Sequence, residues 1–277
     1  MKETILEVIS RGKEQGVKLY LCGITHFSLR YHLYVPLEGI VRAVEPGLIL
    51  LEGRTPDSIY RNGKATGSLV RELKKPSEHY LFTPNLGEIK RIVDESGILV
   101  KGMDLPSRVI DALGKRFMVR STRIISAHES LEKRSEDLIH GTPDELSSEE
   151  FRRIEELRDA LYDVESEFQD FSKDAYDVND ASRNYDILMA VLNKFSDLHR
   201  FFPKVMKDLR KFYKDLAGYM KERDKGMARN IKNDYDGNIR ILGILGSAHL
   251  RYSSLSDLIK AEGIPFVKFI NHIQPSE

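Results

Sequence analysis

Two short stretches end in the same pattern. The apolar run VKLYLCGITH closes in Gly23-Ile24-Thr25-His26, and ILGILGSAH closes in Gly246-Ser247-Ala248-His249. Glycine lets a chain turn sharply as it leaves a strand, and a histidine three residues on can then point back over the strand end. A third run, LILL at 48–51, ends in Glu52-Gly53-Arg54, and a fourth, ILVKGM at 98–103, ends in Asp104. Imidazole and carboxylate are ordinary ligands of divalent transition metals, so His26, His249 and Glu52 form a candidate metal set. A metal held there would bring the pKa of a bound water towards neutrality. A further glutamate would act as general base, and Arg54 or Arg223 would hold a substrate carboxylate or steady an oxyanion. These ligand types suit Mn, Co or Zn, and Fe as well, and do not choose among them.

Arg223 enters through the segment Lys221-Glu222-Arg223-Asp224-Lys225-Gly226-Met227-Ala228. Leu216, Met220, Arg223 and Met227 fall on one helical face, which turns Arg223 inward. An unpaired guanidinium is costly there, and a buried carboxylate or a substrate anion would resolve that cost. Glu222 sits one turn before Gly226, where a helix can approach another backbone closely. The candidate catalytic residues are therefore Glu52, Glu222, Arg54 and Arg223. Two other readings fit the same residues. One is a metal-free, esterase-like enzyme in which a histidine held by a carboxylate is the general base. The other is a non-catalytic protein that binds or sequesters a peptide or small ligand.

These side chains need a frame that brings distant strand ends together. Apolar runs at 17–22, 48–51, 98–103, 239–245 and 265–270 read as five buried strands, with helical patterns at 37–44, 85–95 and 255–261 between them. Continuous apolar strands alternating with helices imply a mostly parallel sheet covered on both faces. Such sheets place their sites at the carboxyl ends of the strands. Between the third and fourth strands the pattern changes. Phe151, Ile154, Leu157, Leu161, Val164, Phe168 and Phe171 repeat every three or four residues, as do Tyr185, Leu188, Leu192, Phe195 and Leu198, and Val205, Leu209, Phe212, Leu216 and Met220. These are packing stripes of long helices, broken near residues 140–143. The expected architecture is α/β: a core domain of 1–105 with 237–277, and an all-helical insertion of 106–236 between strands three and four.

Composition sets outer limits. Hydrophobic residues make up 41% and charged residues 31% of 277, which describes a globular chain with much polar helical surface. Net charge is zero, so no global field draws the chain to nucleic acid or to an anionic membrane. The single cysteine, Cys22, rules out an internal disulfide and a cysteine-rich zinc site. No window of about 18 uncharged apolar residues is present, so no membrane span is expected. The N-terminus lacks the apolar core of a signal peptide. A cytoplasmic protein acting on a peptide or small-molecule substrate is expected, with the helical insertion available for self-association.

The pieces GITHFS at 23–28, EPGLILLEGR at 45–54, KGMD at 101–104, ERDKGMARNI at 222–231 and ILGILGSAHL at 241–250 resemble the TraB/PrgY family. That family is related to the TIKI proteins and, more distantly, to the erythromycin esterase and ChaN-like proteins. The resemblance implies an α/β core with paired Gly-x-x-His motifs, and a shared site at His26, Glu52, Arg54, Glu222, Arg223 and His249. TIKI relatives are viewed as divalent-metal-dependent proteases, and TraB/PrgY members as inhibitors of peptide pheromone activity. Many members carry C-terminal membrane helices, whereas this chain ends soon after its fifth expected strand.

Overall fold

The computed structural model describes residues 4–24, 35–70, 86–117, 121–141, 146–169, 188–251 and 254–271. The seven strands among the described residues form one sheet in the order β4-β3-β5-β2-β6-β1-β7. In chain order these are β1 (Leu19–Ile24), β2 (Leu48–Leu51), β3 (Ile59–Arg61), β4 (Lys64–Ala65), β5 (Leu99–Gly102), β6 (Ile241–Gly246) and β7 (Phe266–Asn271). The five strands expected from the apolar runs all lie in this sheet. They pair in parallel: β1 with β6 and β7, and β2 with β5 and β6. β1, β2 and β6 are buried at every position, as central parallel strands are when helices cover both faces.

Side chains alternate between those faces. Tyr20, Cys22, Ile49, Leu51, Leu242 and Ile244 pack with Ile9 of α1 (Ile5–Glu14), Ile40 and Val41 of α2 (Leu37–Val44), and Ile89 and Val93 of α3 (Leu86–Ser96). Leu19, Leu21, Leu48, Leu50, Ile241 and Leu245 form the other core with Met227 and Ile231. A Thr4–Glu7 capping box starts α1, satisfying amide groups that the first helical turn would leave open.

The hairpin β3–β4 is an addition to the expected set. It pairs antiparallel with β5 and makes the sheet mixed. Asn62 and Gly63 both have positive φ, 48° and 79°, which a two-residue hairpin of this twist requires. The Asn-Gly pair was a readable signal. The flanking IYR and KA are too short and too polar to register as apolar runs.

Between β5 and β6 the described residues contain no strand. They form α4 (Ser107–Arg116), α5 (Ser121–Gly141), α6 (Ser148–Gln169), helical turns at 188–194, a 3-10 segment (Ser196–Phe201) and α7 (Pro203–Asp234). Ile154, Leu157, Leu161, Leu188, Leu192, Phe195, Leu198, Val205 and Leu209 are buried, as their stripes predict. Val164, Phe168, Phe171, Tyr185, Phe212 and Leu216 of the same stripes have side chains outside the described set.

The chain divides into two compact units, 1–112 with 220–277, and 113–219. The sheet unit thus takes in residues 106–112 and 220–236, beyond the boundaries at 105 and 237 drawn from the sequence. Met227 and Ile231 explain the second of these: they bury the C-terminal part of α7 in the core of the sheet. In the helical unit Leu192 is buried. Leu192→Ala should lower the free energy of unfolding in a urea titration by about 2–5 kcal/mol. A loss below about 0.5 kcal/mol, the range of surface substitutions, would place Leu192 outside a core.

Candidate active site

Backbone pairing carries the chain past three strand ends and sets their polar side chains together. Just after β2, the Glu52 amide donates to the Ile244 carbonyl at 3.1 Å. After β5, the Met103 amide donates to the Leu51 carbonyl at 3.0 Å and the Asp104 amide to the Arg54 carbonyl at 2.8 Å. The backbones approach so closely here that a Cβ at Gly102 would collide with the carbonyl oxygens of Arg54 and Thr55. Beyond β6, the Ser247 amide donates to the Ile24 carbonyl at 2.7 Å. The short helix α8 (Ala248–Arg251) then presents His249. Helix α7 supplies Arg223 and Asp224. It is held to the loop after β5 by Asn230, whose Nδ2 donates to the Met103 carbonyl at 2.9 Å. Gly226 faces the Leu105 side chain, with no room for a Cβ.

The result is a continuous chain of buried charges. Arg223 Nη2 donates to Glu52 Oε1 at 2.8 Å and also pairs with Asp104 Oδ2. The Gly53 amide, at 3.1 Å, and the Leu105 amide, at 2.7 Å, donate to Asp104. Glu52 Oε1 meets His249 Nε2 at 3.1 Å, and its Oε2 accepts from the Gly246 amide. His249 Nδ1 lies 2.6 Å from Asp224 Oδ1, and the Ser254 hydroxyl donates to Asp224 Oδ2 at 3.3 Å. Arg54 Nη1 donates to the Glu52 carbonyl at 2.8 Å. Glu52, Arg54, Asp104, Arg223, Asp224 and His249 are all buried, none more than 4% exposed.

The protonation of His249 follows from this geometry. An ionised carboxylate only accepts hydrogen bonds, so with Asp224 and Glu52 ionised the two contacts place a proton on each ring nitrogen. Burial is the strongest influence on this ring and pushes its pKa down. The charge of Glu52 and the hydrogen bonds to Asp224 and Glu52 oppose it, with Arg223 acting in the other direction. The balance leaves His249 raised to about 9 from an ordinary 6.5. Three carboxylates then face two guanidinium groups and one imidazolium, an arrangement that neutralises itself in a low-dielectric setting.

The structure brings together Glu52, Arg54, Arg223 and His249 of the residues expected from sequence. Glu222 is elsewhere: it is partly exposed, and its Oε1 accepts from Lys225 at 2.7 Å. Asp224 takes the place expected of Glu222. The signal for it was present, because Met220, Asp224, Met227 and Ile231 share an inward face at spacings of four, three and four. His26 lies outside the described residues.

Of the metal set expected from sequence, His26 lies outside the described residues, and the other two members are engaged in contacts of their own. Both ring nitrogens of His249 are committed to carboxylates, and both oxygens of Glu52 are engaged by donors. Among the described residues no three His, Cys, Asp or Glu side chains are grouped to hold an ion. Cys22 offers no alternative nucleophile, since its burial pushes the thiol pKa up. Comparison of the chain with protein-family models, with curated proteins and with solved structures gives no match.

A raised pKa in the folded state carries a sign. The contribution of His249 to stability is fully present below its unfolded pKa of about 6.5 and is lost as pH rises through about 9. The stability advantage of the parent over His249→Gln should therefore shrink by about 3 kcal/mol between pH 6.5 and pH 10, read from urea titrations of both proteins. Parallel stability curves across that interval would contradict an imidazolium held by Asp224 and Glu52.

Proposed function

We propose that this protein belongs with the TraB/TIKI-like proteins and is a hydrolase that cleaves an ester or peptide bond by acid–base catalysis without a metal. The observation that carries the reading is the His249 ring clasped between Asp224 and Glu52, both buried. A carboxylate and an imidazolium in contact are a base and an acid whose environments hold opposite protonation states.

Their division of labour follows. Glu52 takes a proton from water as the water oxygen attacks the carbonyl carbon. A guanidinium, Arg54 or Arg223, stabilises the oxyanion that forms. Once protonated, Glu52 no longer holds the Nε2 proton of His249, which passes to the departing alkoxide or amine. The proton gained by Glu52 then passes back to His249 across their 3.1 Å contact, which restores both groups. Asp224 holds Nδ1 throughout and fixes the ring orientation, the part a carboxylate plays behind a catalytic histidine. The Asp104–Arg223 pair keeps Glu52 in place.

The reading is tested with a panel of esters and peptides in the presence of a chelator. Turnover should persist, and kcat/KM should fall as pH rises through about 9, where the acid loses its proton. His249→Gln and Glu52→Gln should each lower kcat by roughly 10²–10⁴-fold, while Glu222→Gln should leave it unchanged. Loss of turnover on chelation, with recovery on adding Mn, Co or Zn, would overturn the metal-free mechanism and favour a metal-dependent one. Tight peptide or ligand binding with no turnover on any panel member would favour a binding protein.

A further inference from the structure

The N-terminal half of α7, in the helical unit, carries Lys204, Lys207, Arg210, Lys211 and Lys214. All five are exposed. At 3.6 residues per turn they fall within about 120° of the helix circumference and span roughly 15 Å of its axis. The opposite side is buried through Val205, Met206 and Leu209. None of the five cations has a carboxylate partner among the described residues, unlike Lys225 and Lys232 further along the helix, which pair with Glu222 at 2.7 Å and Glu262 at 2.5 Å. Asp208 and Asp215 lie at one margin of the stripe. A solvated helix surface commonly intersperses both signs and pairs them at three or four residues. Here Asp208 and Asp215 stand at that spacing from Lys204 and Lys211 alone; Lys207, Arg210 and Lys214 have only cations or neutral residues three and four positions away.

We infer that this stripe is a docking surface for the phosphate backbone of duplex nucleic acid. Four of the five cations are lysines, compact point charges on flexible stems, which suit phosphates without fixing a geometry. The exposed large apolar side chains of the described residues, Leu6, Ile59, Tyr162 and Ile239, all lie on other elements. Among the described side chains the stripe therefore has neither the apolar wedge of a membrane-surface helix nor the aromatic platform that stacks single-stranded bases. Contact is with phosphates alone and is independent of sequence. The zero net charge of the chain removes a long-range field and leaves a local one, effective within a Debye length of about 10 Å at moderate salt.

Fluorescence anisotropy of the full chain with a labelled 25-bp DNA duplex, titrated over a series of salt concentrations, tests this. Binding should be present at low salt and weaken with a log–log slope near −4.5, as about five phosphate contacts require. The triple variant Lys207→Glu/Arg210→Glu/Lys214→Glu should lose at least tenfold in affinity. The single variant Lys211→Ala should reduce the slope by about one. Circular dichroism of each variant confirms that the helices are retained. Absence of binding at low salt, equal affinity of parent and triple variant, or selective capture by phosphatidylserine vesicles instead of the duplex would overturn the proposal. The readout is independent of any hydrolytic activity, so its failure and that of the hydrolase reading are separate results.

Discussion

A guanidinium placed 4% exposed against the core of the sheet has to be met by charge, and Arg223 is met by two carboxylates from two different strand ends. Removing an ion from water costs several kcal/mol even after relaxation, so Glu52 and Asp104 must both lie within hydrogen-bond reach where Arg223 is buried. That requirement runs through the rest of the unit. The parallel pairing of β2 with β5 and β6 puts the two strand ends side by side. The missing side chain at Gly102 lets the chain after β2 lie against β5. Met227 and Ile231 bury the same helix that carries the arginine. A buried ion pair of this kind is a weak source of stability compared with apolar residues of similar volume. It lies at the carboxyl edge of a parallel sheet, where such folds build sites.

Glu52 joins the two halves of the network. One oxygen is shared between Arg223 and His249, and the other is held by a backbone amide. The imidazole therefore senses the guanidinium through a common carboxylate, and its second carboxylate, Asp224, comes from the residue next to that arginine. Neighbouring positions on one helix thus reach both sides of Glu52 in the network. A shift of α7 by one residue would break both contacts, so the packing of Gly226 against Leu105 fixes those contacts as well as the helix.

Much of this arrangement was legible in the sequence. Strands buried on both faces announce themselves as unbroken apolar runs, and the polar residues that follow two of them, Glu52 and Asp104, lie in the candidate site. Arg223 could be placed inward because it interrupts an apolar stripe. Asp224 shares that logic but was masked by its neighbour Glu222, since adjacent helical positions differ by about 100° and both carry carboxylates. The β3–β4 hairpin was hidden because two short polar strands rest on a turn, and a turn leaves only the Asn-Gly pair as a trace. The basic stripe was hidden by arithmetic: a charge summed over the whole chain reports nothing about where the charges sit on one helix.

The protonation of His249 is the point on which the account rests. Nitrogen NMR of uniformly labelled protein at pH 7.5, with the ring assigned by comparison with His249→Gln, reads it directly. The account predicts that both ring nitrogens carry a proton at that pH, with the imidazolium signature lost only as pH is raised through about 9. A neutral ring at pH 7.5, with one nitrogen unprotonated, would contradict the clasp between Asp224 and Glu52 and with it the acid–base mechanism built upon it.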